Sequence, residues 1–428
     1  MINKYKINTG ASVKDYNKVS DWLSFEIPNK INISSGKVDI GQHISTTLAL
    51  ICSRELGIDI NSIFVNKLNT DITPNEGITA SSLSVPNSGT AIRSASIIFK
   101  KNFLDFAAKS LNLNINNINL EDGVAKDPNS NASISFWDFS KTEEFLKLSI
   151  PEIIEIEDQK NFDHSSHVET KFINSIVKGE YKFLHDLRFD DMLHARIVRP
   201  PSYFHKFLSI NKAIYKYLKD HNLKLYIKNS FIAVLGNDEF EVIKSLNRIK
   251  NSIEWEQVNK LANDKIFNLI DQNSKDSLIV KRGGEAFHEN IPEIKSYNNV
   301  DHKTLTSEFN KPYLMHGSIG PSASCSFYKN GKFIIYSHSQ AIYALKSILS
   351  NAFNLKEKNI TLHFMPGAGC YGHNGADDVT YEAALLSKEF ENKYVLLKWT
   401  REDENCWEPY GSASKNKLTA TLDENNKI

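Results

Sequence analysis

The sequence predicts an α/β protein with mixed sheets, and three observations predict it. Short apolar runs at 31–33, 63–68, 193–198, 333–336, 360–364 and 395–400 read as strands. Between them lie amphipathic stretches with helical spacing at 44–56, 90–110, 239–249 and 341–353. The third observation is composition: 41% hydrophobic and 24% charged residues are values of a globular chain, and 428 residues suit two to three domains. Fifty-one basic residues balance 51 acidic ones, which gives no electrostatic footprint for nucleic acid or an anionic membrane surface. No apolar run reaches the roughly 18 residues that a membrane span needs, and the first residues lack the apolar core of a signal peptide, so a cytoplasmic location is expected. The four cysteines, at 52, 325, 370 and 406, form no CxxC pair, which argues against an iron–sulfur cluster or zinc knuckle in this chain.

Taken in order, residues 1–165 form a first segment. The helix at 44–56 carries Ile44, Leu48, Ile51, Cys52 and Leu56 on one stripe, and Gly57 ends it. A strand at 63–68 leads into a long polar loop, residues 70–84, rich in hydroxyls and small side chains. On composition alone such a loop is a solvated connection. The helix at 90–110 turns Ile92, Ala95, Phe99 and Phe103 inward, and Glu121-Asp-Gly123 suits a turn between short strands. Residues 166–260 form a second segment, with a partly alternating strand at 193–198 closed by Pro200-Pro201 and amphipathic helices at 206–217 and 239–249. His185, His194 and His205 are about ten residues apart on extended chain, which fits no short metal motif; they read as structural histidines.

Residues 261–428 hold the most informative stretch. A strand at 333–336 is followed by Ser-His-Ser-Gln340, with Ser339 as an N-cap for the helix at 341–353. The strand at 360–364 runs into Met365-Pro-Gly-Ala-Gly-Cys-Tyr-Gly-His-Asn-Gly375, and a further helix starts near Ala376. Glutamine and glycine loop therefore both sit near strand ends, where α/β sheets place ligands. Gly367-x-Gly369-x-x-Gly372 matches the dinucleotide fingerprint, but there the helix opens within the glycines, and here His373-Asn374-Gly375 prolongs the loop. A metal held by His373 and Asp377 is disfavoured because His373 precedes the helix, and Cys370 reads as a buried thiol because no base with an orienting partner accompanies it. Arg401-Glu-Asp-Glu404 reads as a solvated turn.

Gln340 and, 31 residues on, the pair Tyr371-Gly372 resemble a pattern of the molybdopterin-binding large subunit of the xanthine dehydrogenase and aldehyde oxidase family. Pro312-Tyr-Leu-Met-His316, Gly369-Cys-Tyr-Gly-His-Asn-Gly-Ala-Asp-Asp378 and Trp407-Glu-Pro-Tyr-Gly411 are similar to its isoquinoline 1-oxidoreductase and nicotinate dehydrogenase-like branch, in the family order. The resemblance implies an N-terminal pterin-contacting segment at 1–165, an alpha/beta hammerhead domain at 166–260 and a first molybdopterin-binding domain at 261–428. Gly41-Gln42-His43 resembles the family's Gly-Gln-Gly loop, with His43 in place of the second glycine, and Thr79-Ala-Ser-Ser-Leu-Ser84 resembles its serine segment. By that resemblance Gln42, Ser82, Ser84, Gly369, Tyr371 and Gly372 bind the cofactor. Gln340 donates a hydrogen bond to the apical oxo group of the metal, and Tyr371 walls the pocket. The protein itself contributes no metal ligand.

The activity so implied is oxidation of a heteroaromatic or aldehyde C–H with water as oxygen source, on a molybdenum–molybdopterin cofactor, in plain or cytosine dinucleotide form. Electrons pass to a 2Fe–2S small subunit, and the further partner implied is a cytochrome or flavin subunit. The family's catalytic glutamate and its Arg-Gly-Phe loop belong to a second half, and residues 423–428 read as a hairpin turn without its returning strand. The architecture is therefore expected to be incomplete at the C-terminus. A truncated product or a split subunit is expected, inactive without the C-terminal half and its partners. Two readings stand beside this one: a non-catalytic remnant that only assembles with partners, and an NAD-dependent dehydrogenase using Gly367, Gly369 and Gly372.

Overall fold

The structure, a computed structural model, describes residues 4–157, 168–259, 266–273, 278–282, 285–289, 303–367, 369–372, 378–422 and 425–427. Helix α1 (Ile44–Leu56) and helix α2 (Thr90–Leu111) form the heart of the N-terminal unit. α1 connects two parallel strands, Ile31–Ile33 and Ile63–Val65, in a β–α–β crossover, and Gly57 closes it in the left-handed conformation at φ 72°. The inward face of α2 is the expected one: Ile92, Ala95, Phe99, Phe103 and Ala107 are fully buried. Phe99 stacks on Phe25 at 4.4 Å, and Phe103 meets Phe136 edge-to-face at 4.6 Å. Two single-turn helices, Phe136–Phe139 and Glu143–Leu146, follow, each started by its own side-chain cap, Ser135 and Thr142.

The rest of the described fold centres on a seven-stranded sheet. Its strands are β1 (Leu193–Ile197), β2 (Lys224–Lys228), β3 (Phe231–Gly236), β4 (Ala323–Lys329), β5 (Lys332–Ser337), β6 (Ile360–Phe364) and β7 (Tyr394–Lys398), in the order β2-β3-β1-β7-β4-β5-β6. β1 and β7 pair in parallel, as do β5 and β6; β4 runs against β5 and β7. Consequently β1, β7, β5 and β6 all end on one edge of the sheet. The boundary expected at residue 260 does not separate two sheets, because β1 to β3 and β4 to β7 lie on either side of it in sequence and share this one.

Helices α3 (Glu239–Lys250), α4 (Ile342–Phe353) and α5 (Asp378–Glu389) cover the sheet. Leu193, Ala195 and Ile197 of β1 pack with Val379, Ala383 and Leu386 of α5. His194 and Arg196 lie on the opposite face, towards Glu239 of α3. That is why β1 is buried throughout rather than alternating. The helix expected at 206–217 is a strand, His205–Ile210, followed by a short helix, Ile214–Asp220. The Asn211 side chain accepts from the Ala213 amide at 3.0 Å and turns the chain, and the strand finds a long-range partner in Ile253–Gln257. Ala323–Lys329 pairs with Lys332–Ser337 within this sheet, whereas the nine residues Lys303–Lys311 pair with Ser414–Leu422 in a separate ribbon.

Glu239 shows how this helix-to-sheet contact is held. Burial alone would raise its carboxyl, but hydrogen bonds and charge from Lys398 (2.9 Å) and Arg196 (2.8 Å) outweigh it and bring the pKa down to about 2. A carboxylate held below its ordinary value stabilises the fold above that value and stops doing so as pH falls. Glu239→Gln is expected to lower the unfolding free energy by about 2 kcal/mol at neutral pH. Most of the difference from wild type should vanish between pH 4.5 and 2, as urea titrations at several pH values would reveal.

Candidate functional site

The candidate site begins where β5 and β6 end side by side. The Met365 amide donates to the Ser337 carbonyl at 2.9 Å, so the two following loops leave the sheet in contact. Gly367 lies flat against His338: a Cβ at that glycine would stand 3.1 Å from the imidazole ring. His338 in turn accepts from the Ala323 amide through Nε2 at 3.1 Å. Ser339 is not the helix N-cap, a position taken by Ala341; its hydroxyl accepts the Ala341 amide at 3.0 Å within the loop. Gly369, Tyr371 and Gly372 all have positive φ, 115°, 55° and 86°. Cys370 is buried and free, and its sulfur accepts the Gly372 amide at 3.4 Å. Tyr371 is 58% exposed. His373 and Asp377, the metal pair weighed from sequence, lie outside the described residues. So do Gly283, Gly284 and the residues 423, 424 and 428 of the expected C-terminal turn.

The N-terminal unit reaches this edge through the polar loop. Leu68–Thr70 runs beside β6, with Phe364 donating to the Leu68 carbonyl at 2.9 Å and Thr70 to the Leu362 carbonyl at 3.1 Å. Beyond it the loop crosses α4, where the Tyr343 hydroxyl donates to the Thr73 carbonyl and Lys346 reaches the Thr70 hydroxyl at 3.3 Å. It then arrives at Gln340. The Thr79 amide donates to the Gln340 carbonyl at 3.0 Å, and Gln340 Nε2 donates back to the Thr79 carbonyl at 2.9 Å. The Thr79 hydroxyl accepts the Val38 amide at 2.9 Å. Three segments far apart in sequence, the strap at 36–43, the serine turn at 79–84 and the end of β5, thus meet at Thr79. A solvated connection would not make such contacts.

The predicted residues differ in what they do here. Ser82 follows Ser81 with both in the left-handed region, at φ 57° and 56°. Non-glycine residues hold that conformation at a cost of about 1 kcal/mol or more each, and such strain gathers at ligand sites. Among the described residues no acceptor takes the backbone N–H groups of Ala80, Ser81 or Ser82. Ser84 leads into a π-helical turn, Val85–Gly89, at the base of α2. Gln42 is turned into its own loop: Nε2 donates to the Val38 carbonyl at 2.9 Å and Oε1 accepts the Ile40 amide at 2.7 Å. His43 takes φ 56°, the conformation that the glycine of the resembling pattern would adopt without strain.

Sequence reading passed over the groups behind these loops. Gly36 is packed so tightly that a Cβ there would lie 2.1 Å from the Pro74 carbonyl oxygen and 2.8 Å from the Glu76 nitrogen. Lys37 is buried, with Nζ donating to the carbonyls of Glu76 (2.6 Å) and Ile78 (2.9 Å); burial lowers its pKa although Glu76 opposes the shift. Farther along the same sheet edge, Arg199 grips Glu382 of α5 through two hydrogen bonds, at 2.5 and 3.0 Å. Trp399 donates to the same carboxylate at 2.8 Å. Asp403 stands 3.6 Å from Arg199 Nε. Asp403 and Glu404 lie in helix α6 (Arg401–Trp407) and are buried, which corrects the expectation of a solvated turn. The Glu404 carboxylate accepts the amide and hydroxyl of Ser322, at 2.8 and 3.1 Å. Spacing of Glu and Asp cannot reveal this, because the partners come from 82 residues upstream.

The dinucleotide reading finds no support in the geometry. The space beside Gly369 is filled by the Tyr371 ring, 3.1 Å from where a Cβ would lie, and the described part of α5 starts only at Asp378. No group of three or more His, Cys, Asp or Glu side chains that could hold a metal occurs among the described residues. Nor is any helix among them long and apolar enough to cross a membrane.

Comparison with known proteins agrees with the motifs. Residues 1–174 match the molybdopterin cofactor-binding domain family. Over 413 residues the chain is 27% identical to one of the subunits of nicotinate dehydrogenase from Pseudomonas putida, covering 92% of this chain and 33% of the relative. It is 21% identical over 426 residues to a membrane-bound, pyrroloquinoline-quinone aldehyde dehydrogenase of Gluconacetobacter polyoxogenes, covering 95% of this chain and 53% of the relative. Among solved structures, the aldehyde oxidoreductase from Desulfovibrio gigas aligns with 13% identity and a TM-score of 0.45, over 60% of this chain and 32% of that one. The first 174 residues thus match a molybdopterin cofactor-binding domain, and over most of its length the chain is similar to a nicotinate dehydrogenase subunit and to an aldehyde dehydrogenase. It spans between a third and about half of the length of these two curated relatives.

Proposed function

We propose that this chain supplies the cofactor-binding portion of a molybdenum hydroxylase, and that molybdopterin lies between the strap at 36–43, the serine turn at 79–84 and the ends of β5 and β6. The meeting of Val38, Thr79 and Gln340 is the observation that carries this reading. The donor set suits a pterin and its phosphate: backbone amides and hydroxyls on strained, small-residue turns bring many donors and little bulk. Gln42, Ser82, Ser84, Gly369, Tyr371 and Gly372 would hold the group. When bound, the molybdenum centre supplies oxidation of an electron-poor heteroaromatic or aldehyde C–H, with water as the oxygen source.

The chain's own part is orientation and donation. Gln340 has a second Nε2 proton beyond the one given to Thr79, and an amide donates without titrating. Gly372 offers a backbone N–H now resting on a weak sulfur acceptor, and Tyr371 presents an exposed ring as a pocket wall. By the same reading, the cofactor is in plain or cytosine dinucleotide form and the electrons leave to a 2Fe–2S small subunit, then to a cytochrome or flavin partner. A further polypeptide portion would contribute the catalytic glutamate, and the complex would work in the cytoplasm.

The test is purification with co-expressed partner subunits, followed by molybdenum and pterin analysis. About one of each per chain is the expected result; their absence from an intact complex would end the assignment. In that complex Gln340→Ala should lower turnover about 100-fold while pterin content stays close to wild type. Unchanged turnover would instead favour a non-catalytic, assembling role.

A further inference from the structure

We propose that Glu76 is the positioning residue of the cradle, fixing the spacing between the strap at 36–43 and the turn at 79–84 from behind. This rests on the reading above that those two loops hold molybdopterin. The Glu76 carboxylate collects four donors from three separate stretches of chain. Ser12 donates to Oε1 at 2.7 Å; the Gly36 amide and the Ser88 hydroxyl reach Oε2 at 2.8 and 2.7 Å, and the Ser35 hydroxyl, 3.2 Å from Oε2, shares its one proton with Ser88 Oγ at 3.0 Å. Its main-chain carbonyl also accepts Lys37 Nζ at 2.6 Å.

These partners place Glu76 at a junction of separate segments. Gly36 stands two residues before Val38, whose amide meets Thr79; Ser88 lies in the π-helical turn that follows Ser84 and enters α2. Glu76 itself stands three residues before Thr79. One side chain therefore joins the strap, the turn and the helix base, while the cradle lies in front of it. An ionised carboxylate suits the position because it is acceptor-only, with about four lone-pair sites, and hydrogen bonds to a charged acceptor are the strong ones. A glutamine can keep the Oε2 contacts and donate to Ser12, whose hydroxyl can reverse and accept. An aspartate is one methylene too short to serve both Ser12 and Gly36. This yields an unusual order of tolerance, in which length matters more than charge.

The experiment compares Glu76→Gln, Glu76→Asp and Glu76→Ala in the co-expressed complex. It measures pterin released per chain, by fluorescence after oxidation, and hydrogen exchange at the Val38 and Thr79 amides, neither of which touches Glu76. The α2 amides around Phe99 and Phe103 serve as internal reference. Glu76→Ala should speed exchange at Val38 and Thr79 about tenfold or more and remove most of the pterin, with α2 unchanged. Glu76→Gln should stay near wild type and Glu76→Asp fall between. Wild-type exchange at Val38 and Thr79 in Glu76→Ala would overturn the proposal; so would loss of α2 protection in step with the loops, or faster loops with full pterin content. Should the wild-type complex contain no pterin, the functional reading fails separately, while the exchange order still decides whether Glu76 sets the loops.

Discussion

Replacing Arg199 by methionine will lower the unfolding free energy by about 3–5 kcal/mol at neutral pH, the usual cost of removing one partner from a buried ion pair. The reason is what remains behind. Glu382 is 6% exposed and Asp403 is 5% exposed, and Arg199 is the guanidinium that both face. Burial already raises the pKa of both acids against the pull of Arg199. An acid with a raised pKa stabilises the fold when protonated, and that contribution is lost as pH rises through the folded-state value. Without Arg199 the loss deepens at neutral pH and largely disappears in acid. The deficit of Arg199→Met, read from urea titrations, should therefore shrink steadily as pH is lowered. A pH-independent deficit, or one below about 1 kcal/mol, would show that the two acids do not depend on Arg199. Adding Glu382→Met should recover much of the loss, because a buried pair replaced by apolar groups of similar size is often neutral.

The second large effect is expected at Gly36. Its backbone is not in the left-handed region, so alanine is not strained by its own dihedral angles. The obstacle is close approach: backbone atoms of residues 74 and 76 occupy the place of the methyl group. Backbone cannot swing aside as a side-chain tip can, so the strap must lift off the polar loop. Gly36→Ala should cost about 3 kcal/mol, at the upper end of overpacking, and should empty the complex of pterin even where the protein stays folded. Denaturant midpoints and pterin content measure the two halves of this expectation. An alanine variant with native stability and a full complement of pterin would mean that the strap has room to move.

Much of the fold could be read from local pattern. The stripe of α1 and its closing Gly57, the buried face of α2 and the strand–helix–strand unit ending in the glycine loop all follow from periodicity and turn chemistry, which act over a few residues. Misreadings share the opposite property. The stretch 206–217 has spacings compatible with both periods, and only its distant partner strand decides for extension. β1 loses its alternation because α3 sends Glu239 to satisfy His194 and Arg196 on the face that would otherwise meet water. Glu404 looks like one charge in an acidic turn until Ser322 arrives from elsewhere. In the candidate site, Gln340 and the serine turn were visible because they recur as phrases. Thr79 as their junction, and Glu76 behind them, were not, since contacts spanning 261 and 40 residues leave no trace in spacing.

The pairing of Leu68–Thr70 with β6 has a consequence for how the chain is made. Its partners lie 292 residues apart, the earlier one in the first sixth of the sequence. Translation therefore delivers the protecting segment long before β6 leaves the ribosome. In the folded chain that earlier segment covers the outer side of β6, so the amides and carbonyls it bonds are not open to pairing with another chain.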